Sequence, residues 1–305
     1  MTTAQTTQPL DFDNLPLGEV VGPFHYDIPT DFNARRLPTV GVTDRACTID
    51  DDGREIAEPS VLCGQHTWTL RRRFHWFGSV HAKCDIEYLQ PVHVGTAIEV
   101  TSTVSEKYER RGGRYVVFLL ETRRPDGVLA CRVRNTMLLN FAEVNAARRA
   151  TAAGTITAPV VAATAQETRE TAPASIVAGP FPFERQPMID FFGSDESVYG
   201  PHPSIHNEGD IAARIGLDDI IAPGRYGIGL MNGALLRLMG PSAFRGTRYD
   251  VSILNNLAPG MRAVATATAQ ASEVGAFRFE CRDEISGRAL LSGSMQLGTG
   301  RHTAG

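Results

Sequence analysis

The feature that most constrains the fold is an internal repeat. The motif VGPFHY at Val21–Tyr26 returns as AGPFPF at Ala178–Phe183. The segment CDIEYLQPVHVG, which begins at Cys84, is echoed by YDVSILNNLAPG, which begins at Tyr249. In both copies an Asp stands ten residues before a Gly. A sequence that carries one unit twice is expected to fold as two similar units that pack on each other.

Each copy continues as alternating polar and apolar residues interrupted by glycine-containing turns, namely Gly112–Gly113, Asp126–Gly127 and Ser286–Gly287. Period-2 alternation broken by such turns predicts antiparallel strands joined as hairpins. Upstream of the strands, each copy has one helix candidate that starts at a proline, Pro59 or Pro223, a residue favoured in the first turn of a helix. We therefore predict an α+β fold in which each unit lays a long helix against a curved antiparallel sheet.

The repeat and the local composition divide the chain into four segments. A stretch rich in Ala, Thr and Pro separates the two copies and has little bulky apolar content, which indicates a linker. The predicted boundaries are a tail over residues 1–12, an N-terminal unit over 13–145, the linker over 146–175 and a C-terminal unit over 176–300.

Charge and cysteine content exclude several classes of function. A formal charge of −4 with interspersed signs does not form the basic stripe that binds nucleic acid. No apolar run approaches the ~18 residues of a transmembrane helix, and the N-terminus has no secretory signal pattern. The five cysteines include no CxxC pair, so neither a zinc site nor a redox dithiol is indicated. We expect a cytoplasmic protein that binds neither membrane nor nucleic acid and needs no metal.

Candidate chemistry concentrates in the loop YGPHPSIHNEGDIAARIG, Tyr199–Gly216. Counting from His206, the sequence has Glu208 at two positions, an Ala at six and a Gly at ten. Pro223 and Gly224 follow at seventeen and eighteen, where the second helix candidate opens.

This spacing resembles the MaoC-like (R)-specific enoyl-thioester hydratases and dehydratases, whose loop reads Asp-x-Asn-Pro-x-His. The resemblance covers most of the chain outside the tail and linker. It implies a tandem, or double, hot-dog fold in which the C-terminal unit keeps the catalytic loop and the N-terminal unit is a degenerate partner. It also implies a lyase acting on an acyl thioester of coenzyme A or an acyl carrier protein, without a cofactor. The fold leaves room for a homodimer.

The resemblance implies a role for each part of the site. His206 matches the family's acid/base histidine. Gly224, Arg225 and Tyr226 lie where backbone N–H groups at the helix N-terminus would hold the thioester oxygen, because unpaired N–H groups and the helix dipole favour an anion.

The loop also departs from the family pattern. Aligned without gaps, the family's Asp falls on Pro201 and its Asn on Pro203, and neither side chain transfers a proton. A gapped alignment makes Asp195 and His202 the dyad instead, but it breaks the downstream spacing. Non-catalytic interpretations are a surface turn for His202, a helix end for Asp195 and a dipole-compensating charge for Glu208.

Two other sets of residues remain outside the site. His66 and His81 have no matching motif, and we interpret them as ordinary histidines. The basic segments Arg71–Arg73 and Glu109–Arg114 could meet carrier phosphates, but we favour their interpretation as a solvated helix end and a hairpin tip.

Two further functions stay open at this point. A hot-dog thioesterase is the nearest enzymatic alternative. A non-catalytic ligand-binding or scaffold member of the family is the other.

Overall fold

The computed structural model describes residues 8–75, 79–152, 175–271 and 273–298. The strands are β1 (Gln8–Pro9), β2 (Val20–Asp27), β3 (Phe74–His75), β4 (Val80–Tyr88), β5 (Ala97–Arg110), β6 (Gly113–Arg123), β7 (Leu129–Leu138), β8 (Ser175–Pro182), β9 (Arg248–Ile253), β10 (Arg262–Ala269), β11 (Ala276–Asp283) and β12 (Ala289–Gln296). The α-helices are α1 (Phe32–Thr39), α2 (Gln65–Arg71), α3 (Phe141–Ala152), α4 (Arg185–Tyr199), α5 (Gly209–Arg214) and α6 (Tyr226–Met239). Short 3-10 helices span Arg45–Thr48, Pro59–Cys63 and Gly240–Phe244.

Ten strands form one antiparallel sheet in the order β2-β5-β6-β7-β4-β9-β12-β11-β10-β8. Each repeat therefore contributes five strands in the same order, counted inward from its own edge. The repeated GPF motifs lie in the two edge strands, β2 and β8. The predicted α+β architecture is confirmed, with the strands of the two units joined in one sheet.

The two units join through β4 and β9. Asp85 and Asp250, the repeat-equivalent aspartates, are direct cross-strand partners at this junction. The Nζ atom of Lys83 lies 2.8 Å from a carboxylate oxygen of Asp85 and 2.9 Å from one of Asp250. Lys83 thus offsets the repulsion between like charges that face each other across a ladder.

The predicted turns are present where the sequence places them. Gly112, Gly127 and Gly287 all have positive φ in the β5–β6, β6–β7 and β11–β12 connections. Glycine takes this backbone conformation without a steric penalty, which explains why the hairpin signal was readable.

The helices differ between the units more than the strands do. In the N-terminal unit, the candidate after Pro59 is divided into the 3-10 helix Pro59–Cys63 and the seven-residue α2. In the C-terminal unit, α6 is continuous over 14 residues, and its first eleven residues are buried. It packs against β8, β10 and the 3-10 helix at Pro59–Cys63 of the other unit. The core is therefore continuous across both units.

Two of the predicted segments, the linker and the tail, each include part of a helix or strand. Residues 146–152 of the predicted linker belong to α3, whereas 153–174 lie outside the described residues. Within the predicted tail, β1 pairs with β3, and residues 1–7 lie outside the described residues. In the part of the chain that the structure describes, no helix combines the length and apolar character that crossing a membrane requires.

Candidate functional site

A cavity of about 330 Å³ lies between the two units. The N-terminal unit lines it with α2, the first residues of β4, the start of β6, the end of β7 and the first residue of α3. The C-terminal unit lines it with the loop before α5, the entry to α6 and the segment after β9. The lining residues are His66, Thr67, Arg71, Ser79, Val80, His81, Ala82, Tyr115, Met137, Leu138, Phe141, His202, Ser204, Ile205, His206, Ile211, Ile221, Ala222, Pro223, Gly224, Arg225 and Ile253–Leu257.

His206 lines this cavity, and a hydrogen bond fixes the orientation of its ring. Its Nδ1 lies 2.7 Å from the carbonyl oxygen of Ile221, so Nδ1 carries the proton and donates it. Its backbone N–H donates to Ser204 Oγ at 3.0 Å. Nε2 is then left as an unprotonated acceptor. Burial lowers the pKa of His206 to about 4 against the opposing effect of the Ile221 carbonyl, so the ring is neutral at pH 7.

His202 is buried, with 3% exposure, so its interpretation as a surface turn is wrong. Residues 201–204 alternate between exposed and buried, which turns the side chains of Pro201 and Pro203 outward and those of His202 and Ser204 inward. The His202 backbone N–H donates to Glu196 Oε1 at 2.6 Å, and the His202 carbonyl accepts from the Asn207 side chain at 3.1 Å. Burial, followed by the charges of Arg71 and His206, lowers the pKa of His202 to about 3.

Asp195 belongs to a buried ion cluster instead of the cavity wall. Its side chain is fully buried on α4, with Oδ1 3.1 Å from Arg36 Nη2 and Oδ2 paired with Arg225. Arg36 also pairs with Glu58 at 2.9 Å. Within the described residues, no hydrogen bond joins Asp195 to His202, so the geometry gives no support to the gapped Asp195–His202 dyad.

Acidic side chains are missing from the described wall of the cavity. None of its lining residues is Asp or Glu, and the described partner of the His206 ring is a backbone carbonyl. Glu208 is exposed at the start of α5. Among the described residues, therefore, no carboxylate lies where it would restore an Asp–His dyad.

The entry to α6 offers two N–H groups. Gly224 and Arg225 line the cavity, and neither backbone N–H has a hydrogen-bond partner among the described residues. Tyr226 differs from this prediction. Its N–H donates to the Pro223 carbonyl at 2.8 Å, and its hydroxyl donates to the Thr39 carbonyl at 2.8 Å, away from the cavity. Tyr226 therefore anchors the helix in the core and does not serve as an oxyanion donor.

The side chain of Arg225 crosses to the N-terminal unit. It lies so close to Gly64 that any Cβ at that position would overlap the guanidinium. Burial, followed by the charge of Arg36, lowers the pKa of Arg225 to about 9, which leaves it charged at neutral pH. Its ion pair with Asp195 compensates the charge, so this cation is a fixed part of the site beside the helix N-terminus.

Two histidines of the N-terminal unit complete the wall, and their interpretation as ordinary residues missed this position. His66, in α2, has Nδ1 2.6 Å from Asn135 Nδ2, and its ring centroid lies 5.0 Å from that of His81. A register irregularity between His81 and Lys83 interrupts the β4–β7 ladder. Bulges of this kind redirect side chains, and Ser79–Ala82 all border the cavity. The sequence did contain one indication of this position, because His81 lies only four residues before Asp85, the aspartate of the repeated segment that forms the junction between the units.

Comparison with solved structures identifies the architecture. A MaoC-like dehydratase from Phytophthora capsici superposes with a TM-score of 0.67 at 12% identity, over 97% of this chain and 100% of the other. A conserved hypothetical protein of Mycobacterium tuberculosis, described as having a double hot-dog fold, superposes with a TM-score of 0.60 at 12% identity, over 95% and 97% of the two chains. The chain has a double hot-dog fold.

The peroxisomal multifunctional enzyme type 2 of Drosophila melanogaster shares this fold in part of its length. It superposes with a TM-score of 0.66 at 13% identity, over 92% of this chain but only 48% of the other. Neither a protein-family model nor a curated protein sequence matches the chain. At these identities the likeness confirms the predicted double hot-dog fold, and the chemistry has to be argued from the cavity.

Proposed function

We propose that the protein is a hydro-lyase that adds water to, or removes it from, an enoyl thioester carried by coenzyme A or an acyl carrier protein. The observation that carries the proposal is the pairing of two features in one cavity. His206 Nε2 is a neutral proton acceptor, and the N–H groups of Gly224 and Arg225 have no hydrogen-bond partner among the described residues. Hydration requires both a base for water and donors for the thioester oxygen.

In the hydration direction, His206 Nε2 takes one proton from water as the hydroxide oxygen bonds to C3. The C2–C3 π electrons move toward the thioester carbonyl, whose oxygen becomes negative. The N–H groups of Gly224 and Arg225 stabilise this oxygen, and the positive end of α6 adds to the field. The imidazolium then returns the same proton to C2.

This sequence of steps balances with a single base. One proton leaves water and the same proton reaches carbon, so no carboxylate has to supply a second one. A lone histidine suffices because burial keeps its pKa at about 4, so that the imidazolium readily gives the proton up. The missing family Asp is therefore compatible with activity, at a cost in the basicity of His206.

Arginine side chains near the cavity favour a substrate whose acyl group is attached to an anionic carrier. Arg71 lines the cavity at the end of α2. Exposed Arg110 and Arg111 lie at the tip of the β5–β6 hairpin, whose Tyr115 also lines the cavity. Arginine binds phosphate oxygens through paired hydrogen bonds, as the phosphates of coenzyme A or a phosphopantetheine arm would require.

The test is hydration of crotonyl-CoA, followed as loss of the enoyl absorbance and as formation of 3-hydroxybutyryl-CoA. We expect His206→Gln to lower kcat by about 10²–10⁴-fold, the usual contribution of a general base. His25→Gln, at an exposed histidine of β2, is the matched control and should retain full activity.

Three results would lead away from the proposal. Release of free CoA without hydroxyacyl product would indicate a thioesterase. Binding of the thioester without turnover would indicate a ligand-binding or scaffold protein. Equal activity of the wild type and His206→Gln would remove His206 from the chemistry.

A further inference from the structure

His202 and His206 both contact the same aromatic ring, that of Phe192. The ring centroid of Phe192 lies 5.9 Å from that of His202 and 5.1 Å from that of His206. Trp68 holds His202 from another direction, with its ring at 5.8 Å and nearly perpendicular. Both imidazoles line the cavity, and the charge of His206, when protonated, affects the pKa of His202, which places the two rings near each other.

The two rings differ in which nitrogen is turned into the protein. In His206 it is Nδ1, which donates to the Ile221 carbonyl and leaves Nε2 as an acceptor. In His202 the Nδ1 atom is buried, and no hydrogen-bond partner for it is found among the described residues. Nε2 is therefore the His202 nitrogen available to the cavity.

The buried environment of His202 decides its tautomer. Burial, followed by the positive charge of Arg71, keeps the ring neutral at pH 7, because both lower its pKa. A neutral imidazole has one proton on either Nδ1 or Nε2. A buried N–H without a partner is rarer in proteins than a buried acceptor without one, so the proton belongs on Nε2, facing the cavity.

We propose that His202 and His206 act as a pair of opposite tautomers, in which His202 Nε2–H donates a hydrogen bond to the oxygen of the water or 3-hydroxyl group whose proton His206 Nε2 exchanges. The inference rests on the hydro-lyase function proposed above. His202 then does what neither Pro201 nor Pro203 can do, since their side chains face outward and have no donor or acceptor.

This arrangement leaves the proton balance unchanged. His202 keeps its proton throughout and orients the lone pair of the oxygen toward C3. His206 alone takes up and returns the proton. In the dehydration direction, the same His202 N–H stabilises the departing hydroxide until His206 protonates it.

The tautomers are measured directly by NMR on protein labelled with ¹⁵N-histidine at pH 7. The variants His202→Gln and His206→Gln assign the two rings. We expect the proton of His202 on Nε2 and that of His206 on Nδ1. A His202 proton on Nδ1, or a His202 ring that is charged at pH 7, would overturn the inference whatever the enzyme's activity.

Kinetics supply the second readout through a matched pair of variants. In His202→Gln, the amide nitrogen stands near the place of Nε2 and still donates, whereas His202→Met fills similar space without a donor. We expect His202→Met to lower kcat on crotonyl-CoA by about 10²-fold with a smaller change in KM, and His202→Gln to recover much of this loss.

The outcomes separate the inference from the function on which it rests. A wild type that does not hydrate any enoyl-CoA contradicts the proposed function and the kinetic role of His202 together. An active wild type with equal losses in His202→Met and His202→Gln leaves the hydro-lyase function standing and contradicts the donor role. Urea unfolding of both variants verifies that each is folded under the conditions of the kinetic assay.

Discussion

Replacing Gly224 with alanine tests whether the entry to α6 has to keep its position. A Cβ at this residue would lie closer than 3.0 Å to Cδ1 of Ile253 and 3.1 Å from its Cγ1. Ile253 ends β9 and lines the cavity, and its backbone is fixed by pairing with Leu291 of β12. Either the Ile253 side chain or the first turn of α6 therefore has to shift to accept the new methyl group.

The expected magnitudes follow from this overlap. Overpacking of a well-packed contact costs about 1–3 kcal/mol, and we expect the free energy of unfolding to fall by that amount. A displacement of the Gly224 and Arg225 N–H groups by several tenths of an ångström also weakens both donors at once. Misplaced positioning groups and lost oxyanion donors each lower rates by about 10²-fold, so we expect kcat on crotonyl-CoA to fall by at least that factor.

Ile253→Val removes only Cδ1, the atom that the alanine methyl would strike first. Alone, it should cost about 0.5–1.5 kcal/mol and have little effect on kcat. In combination with Gly224→Ala, it should restore most of the lost stability and activity. A double-mutant cycle with urea unfolding and crotonyl-CoA kinetics measures this coupling. An activity loss in Gly224→Ala that Ile253→Val does not relieve, or no loss at all, would refute the placement of the donors at this turn.

Three further outcomes are expected. Asp195→Asn leaves the buried charge of Arg225 uncompensated and should lower the free energy of unfolding, measured in urea, by about 3–5 kcal/mol. The double variant Asp195→Leu with Arg225→Met removes both charges, and its free energy of unfolding should be much closer to that of the wild type. Because the pKa of His206 is about 4 and the base must be neutral, kcat/KM should stay level from pH 8 to about pH 5 and fall as the pH drops through about 4. A pH profile of kcat/KM with its midpoint near 6.5 would contradict the lowered pKa of His206. The free energy of unfolding should also fall as the pH drops from 6.5 to 4, because histidines in the unfolded chain take up protons that the folded His202 and His206 do not. Replacing His202 by Met should reduce the slope of the unfolding free energy against pH by up to about 1.4 kcal/mol per pH unit, measured by urea unfolding.

The fold was readable from the sequence because its determinants are local and repeated. Glycine at each hairpin and alternation along each strand are properties of neighbouring residues, and the same patterns occur twice. The frame from His206 to Gly224 was equally readable, since a short loop and a helix entry keep a fixed spacing. Tyr226 was misassigned because spacing does not show which N–H of a first turn is already taken by a carbonyl, here that of Pro223.

The rest of the site depends on contacts between distant residues, which spacing does not encode. Asp195 is an ordinary helical residue in sequence, and only the approach of α1 to α4 brings Arg36 beside it. His66 and His81 reach the cavity because the two units pack through β4 and β9 and because β4 is irregular after His81. A site at an interface between two units cannot be assigned by examining the motif of one unit alone.

The alternation of exposed and buried residues over 201–204 explains how a loop with prolines at both family positions could still serve the chemistry. In an extended segment, moving a functional group by one position moves it to the opposite face. Pro201 and Pro203 occupy the outward positions, so a carboxylate in either place would point toward solvent. The position that faces inward between them carries His202. We therefore expect that introducing the family's residues as Pro201→Asp or Pro203→Asn will not raise kcat on crotonyl-CoA, whereas replacing His202 by Met will lower it. A gain of activity in either proline variant would show that the loop side chains face the other way.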